Sequence, residues 1–155
     1  MNHWLMKSEP DVYGIDHLER DGSTPWSGVR NYRARNFMRD DMAVGDRVLF
    51  YHSRSRPPGV VGIAEVTAAA HPDATQFDPD SDYHDPKATR EEPRWFCVDV
   101  GFVRRLARLV PLDELKADPA LDGLLVAQKG QRLSIMPVDA AHYEHIVALG
   151  DAPTD

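Results

Sequence analysis

The chain is 155 residues long, 42% hydrophobic, with a formal net charge of −7. Its length suits one domain around a single buried core, and no apolar run approaches the roughly 18 residues of a membrane span, so no membrane partner is expected. An acidic total of this size excludes a broad, non-specific electrostatic grip on a polyanion, because such a grip comes from phosphate neutralisation.

The N-terminus, MNHWLMKSEP, lacks the basic region and apolar core of a signal peptide and is expected to be mature protein from its first residue. Within it HWLMK alternates as a strand, stopped by Pro10. GIDHLERDG predicts a short helical turn ended by Gly22. From Asn31, a good N-cap residue, Ala34, Phe37, Met38 and Met42 form one apolar stripe of a helix, and Gly45 lies in the turn that closes it. RVLFYHS and VVGIAEV are apolar on both faces and joined by RSRPPG, which predicts a hairpin of two central strands. Residues 71–93 are rich in Pro and Asp, a loop long enough to be functional or a lid. RWFCVDVGFVRRLARLV is the longest strand candidate, with Phe96, Val98, Val100 and Phe102 on one face.

Cys97, inside that strand, reads as a small buried thiol with no basic neighbour to activate it. A single cysteine allows no intramolecular disulfide and fits a reducing compartment: the cytoplasm, with nucleoid association in a bacterium or a nuclear site in a eukaryote. Pro111 starts a short helix, RLSIMPV is a last strand, DAAHYEHIVALG a last helix ended by Gly150, and residues 151–155 a disordered tail. About five to six strands and three or four helices, without regular βαβ crossovers, predict a single α+β domain. Its core is a small mixed or antiparallel β-barrel with peripheral helices, not a doubly wound sheet.

The charge is unevenly placed. Residues 26–56 hold seven basic and three acidic side chains, a net of +4, whereas residues 1–25 carry −3 and residues 57–155 carry −8. The sixteen residues WSGVRNYRARNFMRDD alone contain four arginines, two asparagines and three aromatics. Short motifs elsewhere fail. DPDSDY starts like a calcium loop, but Tyr83 stands where the loop needs Gly. His142 and His145 lack a third ligand, and no P-loop, dinucleotide fingerprint or nucleophile elbow occurs. No metal and no cofactor are expected.

Eight segments occur in one order: HWLMKSEP, WSGVRNYRARNFMR, GDRVLFYHS, GIAEV, TQFDPDSDYHDP, RWFCVDVGFVR, PLDELK and QRLSIMP. Together they closely resemble the EVE-domain family, in particular the thymocyte nuclear protein 1 group and its bacterial relatives, from His3 to Leu149. The resemblance implies a PUA-like pseudo-barrel related to the YTH domain, and a reader of modified bases in nucleic acid, with modified cytosine in DNA the leading candidate.

Such a reader must pull the base from its stack, replace the lost stacking with an aromatic ring, satisfy the base edge and hold flanking phosphates. WSGVRNYRARN contains all the residue types required. Trp26 lies outside every periodic pattern, where YTH domains place a cage tryptophan, and is assigned the base. Ser27 and Asn31 are assigned its edge, Gly28 the close backbone approach, and Arg30, Arg33 and Arg35 the phosphates. Tyr32, Phe37 and Met38 fit the apolar stripe and read first as core, although Tyr32 and Asn36 stay in the candidate site. Lys7 and Ser8 at the end of the first strand, Tyr51 and His52 at the end of a central one, and Arg132 and Ser134 near the last complete the candidate ligand-binding set. The expected partner is nucleic acid with a modified or flipped-out base, and no catalysis is expected. The alternatives are a nuclease or base-processing hydrolase using His52 with an acid from the long loop, or an adaptor binding an acidic protein.

Overall fold

A computed structural model describes residues 1–152. Strands β1 (His3–Ser8), β2 (Ser23–Pro25), β3 (Arg47–His52), β4 (Gly59–Pro72), β5 (Phe96–Pro111) and β6 (Ile135–Val138) form one sheet in the order β2–β5–β4–β3–β1–β6. β1 and β3 are parallel and every other neighbouring pair is antiparallel. β3 and β4 are the central hairpin that their two-faced apolar runs predict. β2 and β6 are the outer strands, and among the described residues no ladder joins them. The architecture is the expected α+β, PUA-like one, with the barrel open between its outer strands.

Side chains alternate across the sheet with the period of two that a strand imposes. Trp4, Met6, Val48 and Phe50 face one apolar cluster; Leu5, Leu49 and Tyr51 face the other. On the first face, Ile15 and Leu18 of α2 (Ile15–Asp21) and Ala34 of α3 (Tyr32–Asn36) cover the sheet. On the second, Leu115 of α4 (Leu112–Ala117) and Ile146 of α5 (Ala140–Asp151) do so. A further short helix, α1 (Pro10–Tyr13), follows β1 directly.

Three local expectations change. The helix predicted from Asn31 to Met42 is two pieces. Asn31 Oδ1 does accept the Ala34 N–H at 3.0 Å as an N-cap, but α3 ends at Asn36 and a π-turn, Phe37–Asp41, follows. The Met42 N–H reaches back to the Phe37 carbonyl at 2.9 Å, a wider turn that keeps Met38 and Met42 in the core while Phe37 packs 5.4 Å from Trp4. Gly150 does not stop the last helix. It is the last residue but one of α5, and a Cβ there would stand 2.5 Å from Leu106 Cδ1, so it marks a close crossing. Asp151, assigned above to the tail, closes α5 and takes both Arg104 guanidinium nitrogens at 2.8 Å; residues 153–155 lie outside the described part. Pro111 precedes α4 as its cap.

Candidate functional site

β1 and β3 end side by side, with Ser8 opposite His52. Beyond that edge lies a cavity of about 500 Å³. Lys7 and Ser8 of β1, with Ser134 beside Lys7, Val12 and Tyr13 of α1, and Trp26 to Asn31, with Tyr83 against Gly28, line it. The linker that carries Trp26 continues the sheet by one rung, since the Trp26 N–H donates to the Val98 carbonyl at 2.8 Å. The indole is held edge-to-face against Phe50, centroids 5.6 Å apart at 85°, and is only 8% exposed. Trp26 is thus both a core ring and a cavity wall. Its indole N–H, unlike those of Trp4 and Trp95, makes no hydrogen bond among the described residues.

The other polar groups divide into engaged and free. Ser8 Oγ donates to the Tyr13 carbonyl at 2.6 Å and so ties α1 to β1. Asn31 Oδ1 is taken by the helix cap, which leaves its amide N–H groups without a partner among the described residues. Ser27 is exposed at the rim. Lys7 is half-buried with its Nζ 5.6 Å from the Tyr51 ring centroid. It has no carboxylate partner among the described residues, and burial lowers its pKa from the ordinary lysine value. Glu9, the acid on the wall, is paired with Arg54 at 3.0 Å. Free donors therefore outnumber free acceptors, and the uncompensated charge is positive.

Arg30 lines the cavity but is fully committed. Nη1 pairs with Asp73 Oδ2 at 3.1 Å and meets the Val29 carbonyl; Nη2 reaches Thr75 Oγ1 at 3.0 Å, and Nε and Nη2 both donate to the Tyr83 carbonyl. All five N–H groups of a guanidinium are then in use, so Arg30 staples the long loop to the wall instead of presenting itself to a phosphate. Asp73 is 1% exposed. Burial would raise its carboxyl pKa, but hydrogen bonds from Thr75, Gly28 and Arg30 outweigh that and hold it below the ordinary value. Gly28 is glycine for two reasons: its φ is +86°, and a Cβ would come within 2.8 Å of the Tyr83 ring. Buried Gln76 anchors the base of the same loop, accepting from the Arg94 and Trp95 N–H groups and donating to the Asp73 and Trp95 carbonyls.

The EVE domain profile matches residues 2–149. The chain belongs to the EVE-domain family. Human thymocyte nuclear protein 1 is 39% identical over 166 residues, covering 96% of this chain and 73% of its own length. A Pseudomonas syringae protein of known structure is 49% identical with a TM-score of 0.91, covering 96% of this chain and 99% of that one. The human THYN1 protein solved in complex with 5-methylcytosine-containing DNA is 36% identical with a TM-score of 0.91, covering 99% and 100%.

Within this EVE domain, Lys7, Ser8, Trp26, Ser27, Gly28, Arg30, Asn31 and Ser134 come together on one cavity. The other seven candidates, exposed Arg33 among them, do not line it. Tyr51 is 3% exposed, and burial, with Asp113 nearby, pushes its hydroxyl up to about 12. His52 Nε2 accepts the Ile15 N–H at 3.1 Å; burial lowers its pKa, with Asp16 opposing and Arg105 reinforcing the effect. Its acceptor nitrogen therefore caps α2, and the ring hydrogen-bonds to no carboxylate among the described residues. Arg132 is exposed away from the cavity. Arg35 and Asn36 hold each other, Asn36 Oδ1 accepting Nε and Nη2 at 3.1 and 2.8 Å. Tyr32 does not enter the apolar stripe; it is 50% exposed and stacks on Trp95.

Sequence reasoning missed Asp73, Thr75 and the α1 wall of Val12 and Tyr13. No local signal marks Asp73 among the acids of its loop, because its partner Arg30 is 43 residues away. Val12 carries no local signal either, since its exposure on the cavity appears only once α1 is folded.

Proposed function

We propose that this EVE domain binds DNA carrying a modified cytosine and receives the flipped-out base in the Trp26 cavity. The observation that carries the reading is the pairing of Trp26, with a free indole N–H, and Lys7, a cation without a carboxylate partner, on a cavity of about 500 Å³. That volume suits a nucleobase with its sugar. The ring replaces the stacking lost on flipping, worth ~1–3 kcal/mol per base. A cytosine edge offers two acceptors, O2 and N3, and one donor, N4. The free donors of Lys7, Ser27 and Asn31 match the acceptors, and the Ser27 hydroxyl also accepts. The 5-methylcytosine complex of the THYN1 protein supports the same class of partner here.

The acidic body sets the footprint. Eleven net negative charges lie outside the basic segment, and they oppose extended contact with the backbone. Affinity must come from one stacked, hydrogen-bonded base with few phosphates. The test is a set of oligonucleotides identical except for one base (cytosine, 5-methylcytosine, 5-hydroxymethylcytosine or N6-methyladenine), each measured at two salt concentrations. The reading expects a modified cytosine to bind tightest, with a ratio to cytosine that survives the salt increase. Equal binding of all four would refute it.

A further inference from the structure

Outside the cavity, cationic and aromatic side chains continue as a second feature. The Arg30 guanidinium lies 5.6 Å from the Tyr83 centroid and 5.1 Å from that of Trp95. Trp95 stacks on Tyr32 with centroids 4.8 Å apart and an interplanar angle of 18°. The Arg35 guanidinium lies 4.6 Å from Tyr32 and 5.9 Å from Trp95. The three separations among Tyr32, Trp95 and Arg35 are similar, so they form a triangle and not a sandwich. Arg35 therefore does not cover the face of Tyr32 opposite Trp95, and that face is open, in keeping with the 50% exposure of the residue.

The charge around this ring is also uncompensated. Arg35 donates to two neutral acceptors, the Asn36 side chain and the Arg94 carbonyl at 2.8 Å, and to no carboxylate. Arg33, one residue past Tyr32, is exposed, lies 5.8 Å from the Phe37 ring and has no acidic partner among the described residues. The nearby acids are occupied: Asp40 by Arg39 at 2.8 Å, and Asp85 by the Trp95 indole N–H at 2.9 Å and Arg94. A flat ring with one free face, backed by a second aromatic and flanked by two unpaired arginines, is the arrangement of a nucleobase-stacking platform with phosphate contacts. The path from the cavity wall to it is short, because Arg30 touches both the cavity and Trp95.

We propose that the open face of Tyr32 is a second nucleobase site, which stacks a base flanking the one in the Trp26 cavity, with Arg33 and Arg35 on the phosphates of that nucleotide. The proposal rests on the DNA-reading role proposed for the cavity. It explains why an exposed tyrosine stands at the first turn of α3, where neither the core nor the cavity uses it.

The test uses oligonucleotides with one 5-methylcytosine and an abasic site moved one position at a time along both flanks, bound to the wild type, Tyr32→Phe and Tyr32→Leu. Leu keeps apolar packing on Trp95 without a stacking ring, and the melting temperature of each variant checks the fold. The expected result is one flanking position where loss of the base weakens wild-type and Tyr32→Phe binding by roughly fivefold or more. Tyr32→Leu should bind intact DNA weaker by a similar factor, lose its sensitivity at that position, and keep the preference for 5-methylcytosine over cytosine. Wild-type preference with no position dependent on Tyr32 overturns the platform and leaves the cavity reading standing. Absence of any modified-base preference in the wild type overturns the cavity reading, and the platform with it.

Discussion

Two cavities of similar size sit at opposite ends of β1. The one beyond its C-terminal end, at Lys7 and Ser8, has a volume of about 500 Å³; the one at its N-terminal end, at Asn2, His3 and Trp4, about 600 Å³. Size does not tell them apart, and each has a tryptophan on its wall. The difference is in what the polar groups are free to do. Trp4 is 3% exposed and its indole N–H is held by Asp46 at 3.0 Å, and the charged groups around that cavity are Asp40, Asp41 and Asp139. Trp26 keeps its indole N–H free beside Lys7. A polyanion approaching the N-terminal cavity meets Asp41, Asp139 and the Arg39-paired Asp40, and approaching the C-terminal one meets an unpaired cation. Free donors and the sign of the local charge, not volume or an aromatic wall, are what single out the cavity proposed for the base.

Trp26→Ala should give the largest effect. It removes a ring that belongs to both core and cavity, so stability should fall by about 3–5 kcal/mol in chemical denaturation, and any surviving folded protein should lose the distinction between modified and plain cytosine. Trp26→Phe separates the two roles, since it keeps the contact with Phe50. It should restore most of the stability and only part of the discrimination. Full discrimination in a folded Trp26→Ala protein would move the site elsewhere.

Arg30→Ala should act on the fold, not on the phosphate contacts. It leaves Asp73 buried without its ion pair, a loss of about 3 kcal/mol, and releases the long loop at Tyr83. Thermal melting should show the loss. The slope of log affinity against log salt should stay as in the wild type. Lys7→Ala should do the reverse: little change in melting temperature, and weaker binding of the modified base, because a donor to the cytosine edge is lost. A flattened slope in Arg30→Ala would mean that the staple opens on binding.

His52 gives a smaller, pH-dependent effect. Its folded-state pKa is depressed below the ordinary value of about 6.5, chiefly by burial, because the neutral ring must accept the Ile15 N–H. A depressed pKa contributes stability that is complete above the unfolded value and is lost as pH falls through the folded one. Melting temperature should therefore decline as pH drops below about 6.5, and His52→Gln should flatten that part of the curve. The smallest effect belongs to the acidic cavity: Asp41→Asn or Asp139→Asn should leave the preference for a modified base unchanged, and a changed preference would break the contrast between the two ends of β1.

The sequence carried much of this, for reasons of range. Strand pairs and the Asn31 cap depend on patterns within a few residues, and both were readable. Trp26 stood out because it breaks every period around it. The charge of Arg30 is visible locally, whereas its partner Asp73, 43 residues away, is not. Tyr32 is expected in the core with the stripe of Ala34, Phe37 and Met38, yet two residues before Ala34 it sits on another side of the helix, where it stacks on Trp95 and stays half exposed. Gln76, 0% exposed, is one polar residue in a polar loop and gives no local sign that it anchors the loop.

The most direct test follows the three indole N–H resonances in a ¹⁵N–¹H correlation spectrum, each assigned by its Trp→Phe variant, while an oligonucleotide with one 5-methylcytosine is added. Trp4 reports the acidic cavity, Trp26 the cavity proposed for the base, and Trp95 the stack beneath Tyr32. The account predicts that Trp26 shifts most and does so less with the unmodified oligonucleotide, that Trp95 shifts less, and that Trp4 stays in place. A spectrum in which Trp4 moves and Trp26 does not would contradict it.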